Sequence, residues 1–234
     1  MTGPTGGAEM PETVTDVAAA VEAVRARIAA AAARAGRDPA EVTLVAATKT
    51  VDVGRIAAAV AAGVVDLGEN RAQELVAKAP APELAAGRVR WHFLGRLQRN
   101  KVRAMASWVR CWQSVDRVEL GESIAHRAPG ARVLVEVNLA GEPAKGGCAP
   151  PEAALLADQL RGLGLDVGGL MAVPPAADDP RPWFARLREL AGALELTELS
   201  MGMTGDFEAA VEEGATMVRV GRALFGERPA AVRG

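Results

Sequence analysis

The sequence predicts one α/β domain, a (β/α)8 barrel of the TIM type with an extra helix in front of it. Eight short apolar runs alternate with helical patterns, and turn residues punctuate the joints. The runs are mostly apolar throughout rather than strictly alternating, as parallel strands covered by helices require. An open, doubly wound sheet is the other arrangement of such a pattern. No G-x-G-x-x-G follows the first run, which counts against a dinucleotide fold.

The elements follow in order. Met1 to Thr13 is rich in Gly, Pro and Thr, lacks Lys and Arg, and has no apolar stretch. It reads as a disordered tail rather than a signal or transit peptide, and residues 14–234 read as one barrel domain. Val17, Val21, Val24, Ile28 and Ala31 recur at three- and four-residue steps and mark a helix from Val14 to Ala35. Gly36 caps it and Pro39 enforces the break. Strands are expected at Val42–Thr48, Val64–Leu67, Val89–Leu94, Val109–Ser114, Val133–Asn138, Val167–Val173, Thr197–Met201 and Met217–Val220. Helices are expected at Val53–Ala62, Arg71–Lys78, Arg99–Ser107, Arg117–His126, Glu152–Arg161, Arg181–Ala193 and Asp206–Glu213, with one further turn at Gly221–Gly226.

Composition narrows the function classes. Half of the 234 residues are hydrophobic, enough for a substantial core in one domain. A formal charge of −2 without a basic stripe or tail gives no footprint for nucleic acid. No apolar run is long enough to cross a membrane. Cys111 and Cys148 make no CxxC pair and no zinc pattern with His92 and His126, so a reducing, cytoplasmic setting fits. His126 reads as a helix-surface histidine, and the tryptophans as packing or rim residues.

In a barrel of this type, chemistry belongs at the carboxyl ends of the strands. Lys49 closes the first, and it is one of four lysines (Lys49, Lys78, Lys101, Lys145) in a chain that otherwise uses Arg for positive charge. Burial there favours the neutral amine, the nucleophile of Schiff-base chemistry; the alternative is a side chain that snorkels into water. After the seventh and eighth strands, Ser200, Gly202, Thr204, Gly205 and Gly221 offer hydroxyls and approachable backbone N–H groups, and a helical turn begins at Arg222. Strand alternation puts Arg219 on the barrel interior, either in an ion pair with Glu69 or Glu136 or facing a ligand. A lysine, an anion cradle and an interior arginine at one mouth suit a phosphorylated aldehyde, pyridoxal 5′-phosphate.

Several motifs in order strengthen that reading: Val45–Thr50, Gly68-Glu69-Asn70-Arg71-Ala72-Gln73-Glu74, Trp91–Lys101, Gly169–Ala172, Leu199–Thr204 and Met217–Gly221. With them the chain, from Val14 to Arg228, resembles the pyridoxal phosphate homeostasis family, similar to the N-terminal barrel of alanine racemase. The resemblance implies a monomeric fold-type-III barrel in which Lys49 carries the cofactor as a Schiff base. It implies a phosphate site at Ser200, Thr204, Gly221 and the Arg222 backbone, with Arg219 beside the ring nitrogen and Asn70 near the ring. Arg96 and Thr204 depart from residues common in the family, and Lys145 resembles one of its lysines.

The family is regarded as handling the vitamin B6 pool, exchanging cofactor with apo-enzymes, without established catalysis. Two features of the residues agree. An arginine against the ring nitrogen leaves that nitrogen unprotonated and weakens the ring as an electron sink. Racemisation needs a base on each face of the substrate carbon, and with no tyrosine in the chain the second would fall to His92 or a carboxylate. The competing readings are a pyridoxal-dependent amino-acid racemase and a cofactor-free class-I aldolase using Lys49.

Overall fold

The structure is a computed structural model and describes residues 13–85, 89–175 and 179–226. The expected tail lies outside them up to residue 12, as does the segment 227–234. Helix α1 (Thr13–Arg34) precedes an alternation of β1 (Thr43–Ala47), α2 (Val53–Ala61), β2 (Asp66–Glu69), α3 (Ala72–Lys78) and α4 (Pro82–Ala85). It continues through β3 (Arg90–Phe93), α5 (Arg99–Met105), β4 (Val109–Val115), α6 (Val118–Arg127), β5 (Arg132–Glu136) and α7 (Ala153–Gly162). The last elements are β6 (Asp166–Met171), α8 (Arg181–Ala193), β7 (Glu198–Met203), α9 (Phe207–Glu212), β8 (Met217–Val220) and α10 (Arg222–Phe225).

All eight strands are parallel and pair in sequence order, and β8 closes on β1. This is the barrel that the apolar runs predict. Inside it, Val45, Cys111, Leu134, Met171 and Met217, from β1, β4, β5, β6 and β8, form a small apolar cluster. The main core lies outside the sheet, between strands and helices. The periodic stripe of α1 is buried as its spacing demands, and Arg27 and Arg34 fasten the helix to Glu208 and Glu212 of α9.

Boundaries move most at β2, which starts at Asp66 rather than Val64 and runs on through Glu69. Two buried carboxylates in a four-residue strand hide it from an apolar-run search. The short α4 has no expected counterpart. In β7 the register against β8 slips between Ser200 and Met203, which makes a bulge. Gly202 sits in it at φ +87°, and a Cβ there would lie 2.5 Å from the Cβ of Ala210 on α9. Only glycine fits both the backbone angle and the space.

Candidate functional site at the carboxyl mouth of the barrel

Lys49 stands just past β1 and is half-buried rather than enclosed. The lysine that is buried is Lys78 on α3. Its Nζ donates to Glu69 Oε1 (2.6 Å), to Glu74 Oε2 (2.9 Å) and to the carbonyl of Thr48 (2.8 Å). Glu69 also lies 2.9 Å from the Thr48 hydroxyl and accepts from the backbone N–H of Asn70. Glu74 accepts from the N–H of Thr50 at 2.7 Å. The turn that displays Lys49 is therefore held on both sides by one buried ion-pair cluster. Thr50 adopts φ +64°, a strained angle for a β-branched residue, and these bonds hold it there.

Across the β1–β8 seam, Val45 pairs with Arg219, and Gly221 lies against Ala47. Arg219 is buried and makes no ion pair with Glu69, which Lys78 takes, and none with Glu136 among the described residues. Its guanidinium donates instead to Ser200 Oγ (2.7 Å) and to the carbonyl of Ala172 (2.9 Å). Burial lowers its pKa to about 10 against the attraction of Glu136 and Asp206, so it remains a cation at neutral pH.

Ser200 is the expected phosphate residue whose surroundings differ most from expectation. It is fully buried, and its hydroxyl, while accepting from Arg219, donates to Gln113 Oε1 at 2.6 Å. Both of its faces are occupied by protein. Thr204 and Gly221 do come together: the N–H of Gly221 lies 3.4 Å from the Thr204 hydroxyl, joining the seventh and eighth loops where α10 begins. Asn70 is exposed and helps line a cleft of 230 Å³ with Arg71, Gln73, Arg96, Gln98 and Lys101. Gly95 packs the loops after β2 and β3 together so closely that a Cβ there would meet the Asn70 carbonyl at 2.0 Å.

Glu136 ends β5 at the same mouth. Burial pushes its carboxyl up to about 7, and neighbouring Asp116 adds to the rise, while Arg219 and Arg96 oppose it. Lys145 reaches across from the loop after β5 to the carbonyls of Val173 and Pro174 and pairs with Glu142. His92 is buried with both ring nitrogens engaged, Nε2 with Asp66 at 2.9 Å and Nδ1 with Gln113 at 2.8 Å. Neither nitrogen is left to act as a second base. His126 is exposed on α6, and both cysteines are free and buried.

Asp66, Lys78 and Gln113 escape a reading by sequence. Asp66 and Gln113 interrupt apolar runs, and polar residues there are the available signal. Lys78 carries the same compositional mark as Lys49, with Glu74 four residues before it. Among the described residues no cluster of His, Cys, Asp and Glu is placed to hold a metal, and no helix is long and apolar enough to cross a membrane.

Comparison with known proteins agrees with this architecture. The family described as alanine racemase, N-terminal domain, matches residues 20–229. The pyridoxal phosphate homeostasis protein of Pseudomonas aeruginosa is 43% identical over 92% of this chain and 97% of its own. That of Escherichia coli K12 is 36% identical over 92% and 98%. PipY of Synechococcus elongatus, solved with PLP bound, superposes with a TM-score of 0.77 at 32% identity, over 90% of this chain and all of PipY. Alanine racemase from Corynebacterium glutamicum, 14% identical with a TM-score of 0.66, shares the fold alone. The chain thus belongs to the alanine racemase N-terminal domain family, within the branch of pyridoxal phosphate homeostasis proteins.

Proposed function

We propose that this protein binds pyridoxal 5′-phosphate at Lys49 and buffers or carries it, exchanging it with apo-enzymes to hold the intracellular vitamin B6 pool steady. One observation carries the reading: a lysine on a turn clamped by Lys78, Glu69 and Glu74 follows β1, and the neighbouring strand β8 carries a buried arginine that has no carboxylate partner among the described residues. A buried cation without a counter-ion suits a ligand that brings an acceptor. The names of the curated relatives and the PLP held by PipY support the same ligand.

The residues present fit that group. When bound, it supplies an aldehyde for an amine and a phosphate dianion for an anion cradle. Lys49 provides the amine. Thr204, Gly221 and the backbone of Arg222 hold the phosphate where the seventh and eighth loops meet at the start of α10. Arg219 meets the ring nitrogen, Asn70 borders the ring, and Gly202 shapes the bulge behind the cradle. Ser200 serves Arg219 rather than the phosphate, because its hydroxyl is taken by Arg219 and Gln113. The reading includes a monomer and a reducing cytoplasm; two unpaired buried cysteines support the reducing setting.

Titration followed by visible absorption tests the site. Pyridoxal phosphate should generate a band that borohydride abolishes, and pyridoxal without phosphate should bind far less well; equal affinity for both refutes a phosphate cradle. Transfer of cofactor to an apo-enzyme, without α-hydrogen exchange of alanine in deuterated water, separates a carrier from a racemase.

A further inference from the structure

Arg219 raises a question that the cofactor alone does not answer. A buried guanidinium with no carboxylate partner among the described residues needs something to hold its charge in the protein when no ligand is bound. Besides the bond from Arg219 to the Ala172 carbonyl, the structure supplies a file of hydrogen bonds, from which Gln113 Nε2 also reaches Met217 Sδ at 3.6 Å. Arg219 Nη1 donates to Ser200 Oγ (2.7 Å), Ser200 to Gln113 Oε1 (2.6 Å), Gln113 Nε2 to His92 Nδ1 (2.8 Å), and His92 Nε2 to Asp66 Oδ1 (2.9 Å). Asp66 ends the file in a two-pronged pair with Arg90 at the amino end of the barrel. Every member between Arg219 and Asp66 is buried.

The file runs in one sense only. Asp66 accepts, so His92 carries its proton on Nε2 and presents a bare Nδ1, which fixes the Gln113 amide with its oxygen toward Ser200. Were His92 doubly protonated, the amide would turn over. Ser200 would then receive from both neighbours and its own hydrogen would lose its acceptor. In this sense all the dipoles align from the cation to the carboxylate, and aligned hydrogen bonds strengthen one another. Burial pushes the Asp66 carboxyl up, but bonds from His92 and Arg90 outweigh it and hold it below its usual range.

We propose that Gln113, His92 and Asp66 are positioning residues: with Ser200 they form a relay that stands in for the missing counter-ion and aims Arg219 at the ring nitrogen. This rests on the ligand reading above. Gln113 contributes the central link, and no other residue in the file could bridge Ser200 to His92.

Binding is measured for wild type and Gln113→Met with two probes, pyridoxal phosphate and its 1-deaza analogue, whose ring carries C–H in place of nitrogen. Gln113→Met should weaken pyridoxal phosphate by about tenfold, the scale of a hydrogen bond to a charged group. With the deaza analogue the two proteins should bind alike, because there is no ring nitrogen for Arg219 to meet. Equal losses with both probes, or no loss with either, overturn the relay while leaving the cofactor site intact. A wild type that binds neither probe overturns the ligand reading and the relay with it. If Gln113→Met melts without cooperativity, Ser200→Ala, a smaller change, is read by the same comparison.

Discussion

Glu136 and Arg219 share the barrel mouth, and burial drives each toward its neutral form. For Glu136 this fixes a sign. The unfolded chain ionises it near the ordinary carboxylate pKa, whereas the folded protein keeps its proton up to about 7. Native stability therefore falls as pH rises between those values, because the folded state must then hold a charge that it disfavours. The expected outcome is that Glu136→Gln gains melting temperature over wild type progressively from pH 4.5 to 7.5. A difference that stays flat with pH would remove Glu136 as the cause. The importance of Lys49 is visible in the sequence because lysine is rare here and this one ends an apolar run. The surroundings of Ser200 are not, because a hydroxyl beside glycines looks the same whether it faces an anion or an arginine from another strand. Only the bulge at Gly202 and the register of β7 on β8 decide which.

At the scale of elements, the unit that matters is the β1 turn with β2 and α3. Lys78, Glu69, Glu74, Thr48 and Thr50 tie them together beneath Lys49. Lys78→Met would leave the fully buried Glu69 without its cation, a change that costs about 3–5 kcal/mol. We expect a large drop in melting temperature and weaker cofactor uptake at Lys49, measured by calorimetry and by absorption. A small, purely surface-like effect would show that the cluster does not hold the turn. Strand and helix positions follow from periodicity because each helix buries one stripe, as Val17, Val21, Val24 and Ile28 do in α1. The β2 start does not follow, because Asp66 and Glu69 are charges whose partners Arg90 and Lys78 lie on other elements, β3 and α3. Burial of paired charge leaves no hydrophobic trace.

For the whole molecule, closure of the eight strands brings the first and last together, so Lys49 and the loops after β7 and β8 meet at one mouth. Helix α1 reinforces that seam from outside, packing on α2, α9 and α10, with Arg27 also stacked over the ring of Phe207. The most direct test of the account is to load the protein with pyridoxal phosphate, reduce it with borohydride and map the labelled peptide by mass spectrometry. A pyridoxyl group is expected on Lys49, and a still-folded Lys49→Ala protein should take up no label. Label on Lys145 or Lys101 instead, or undiminished label in Lys49→Ala, would contradict that assignment.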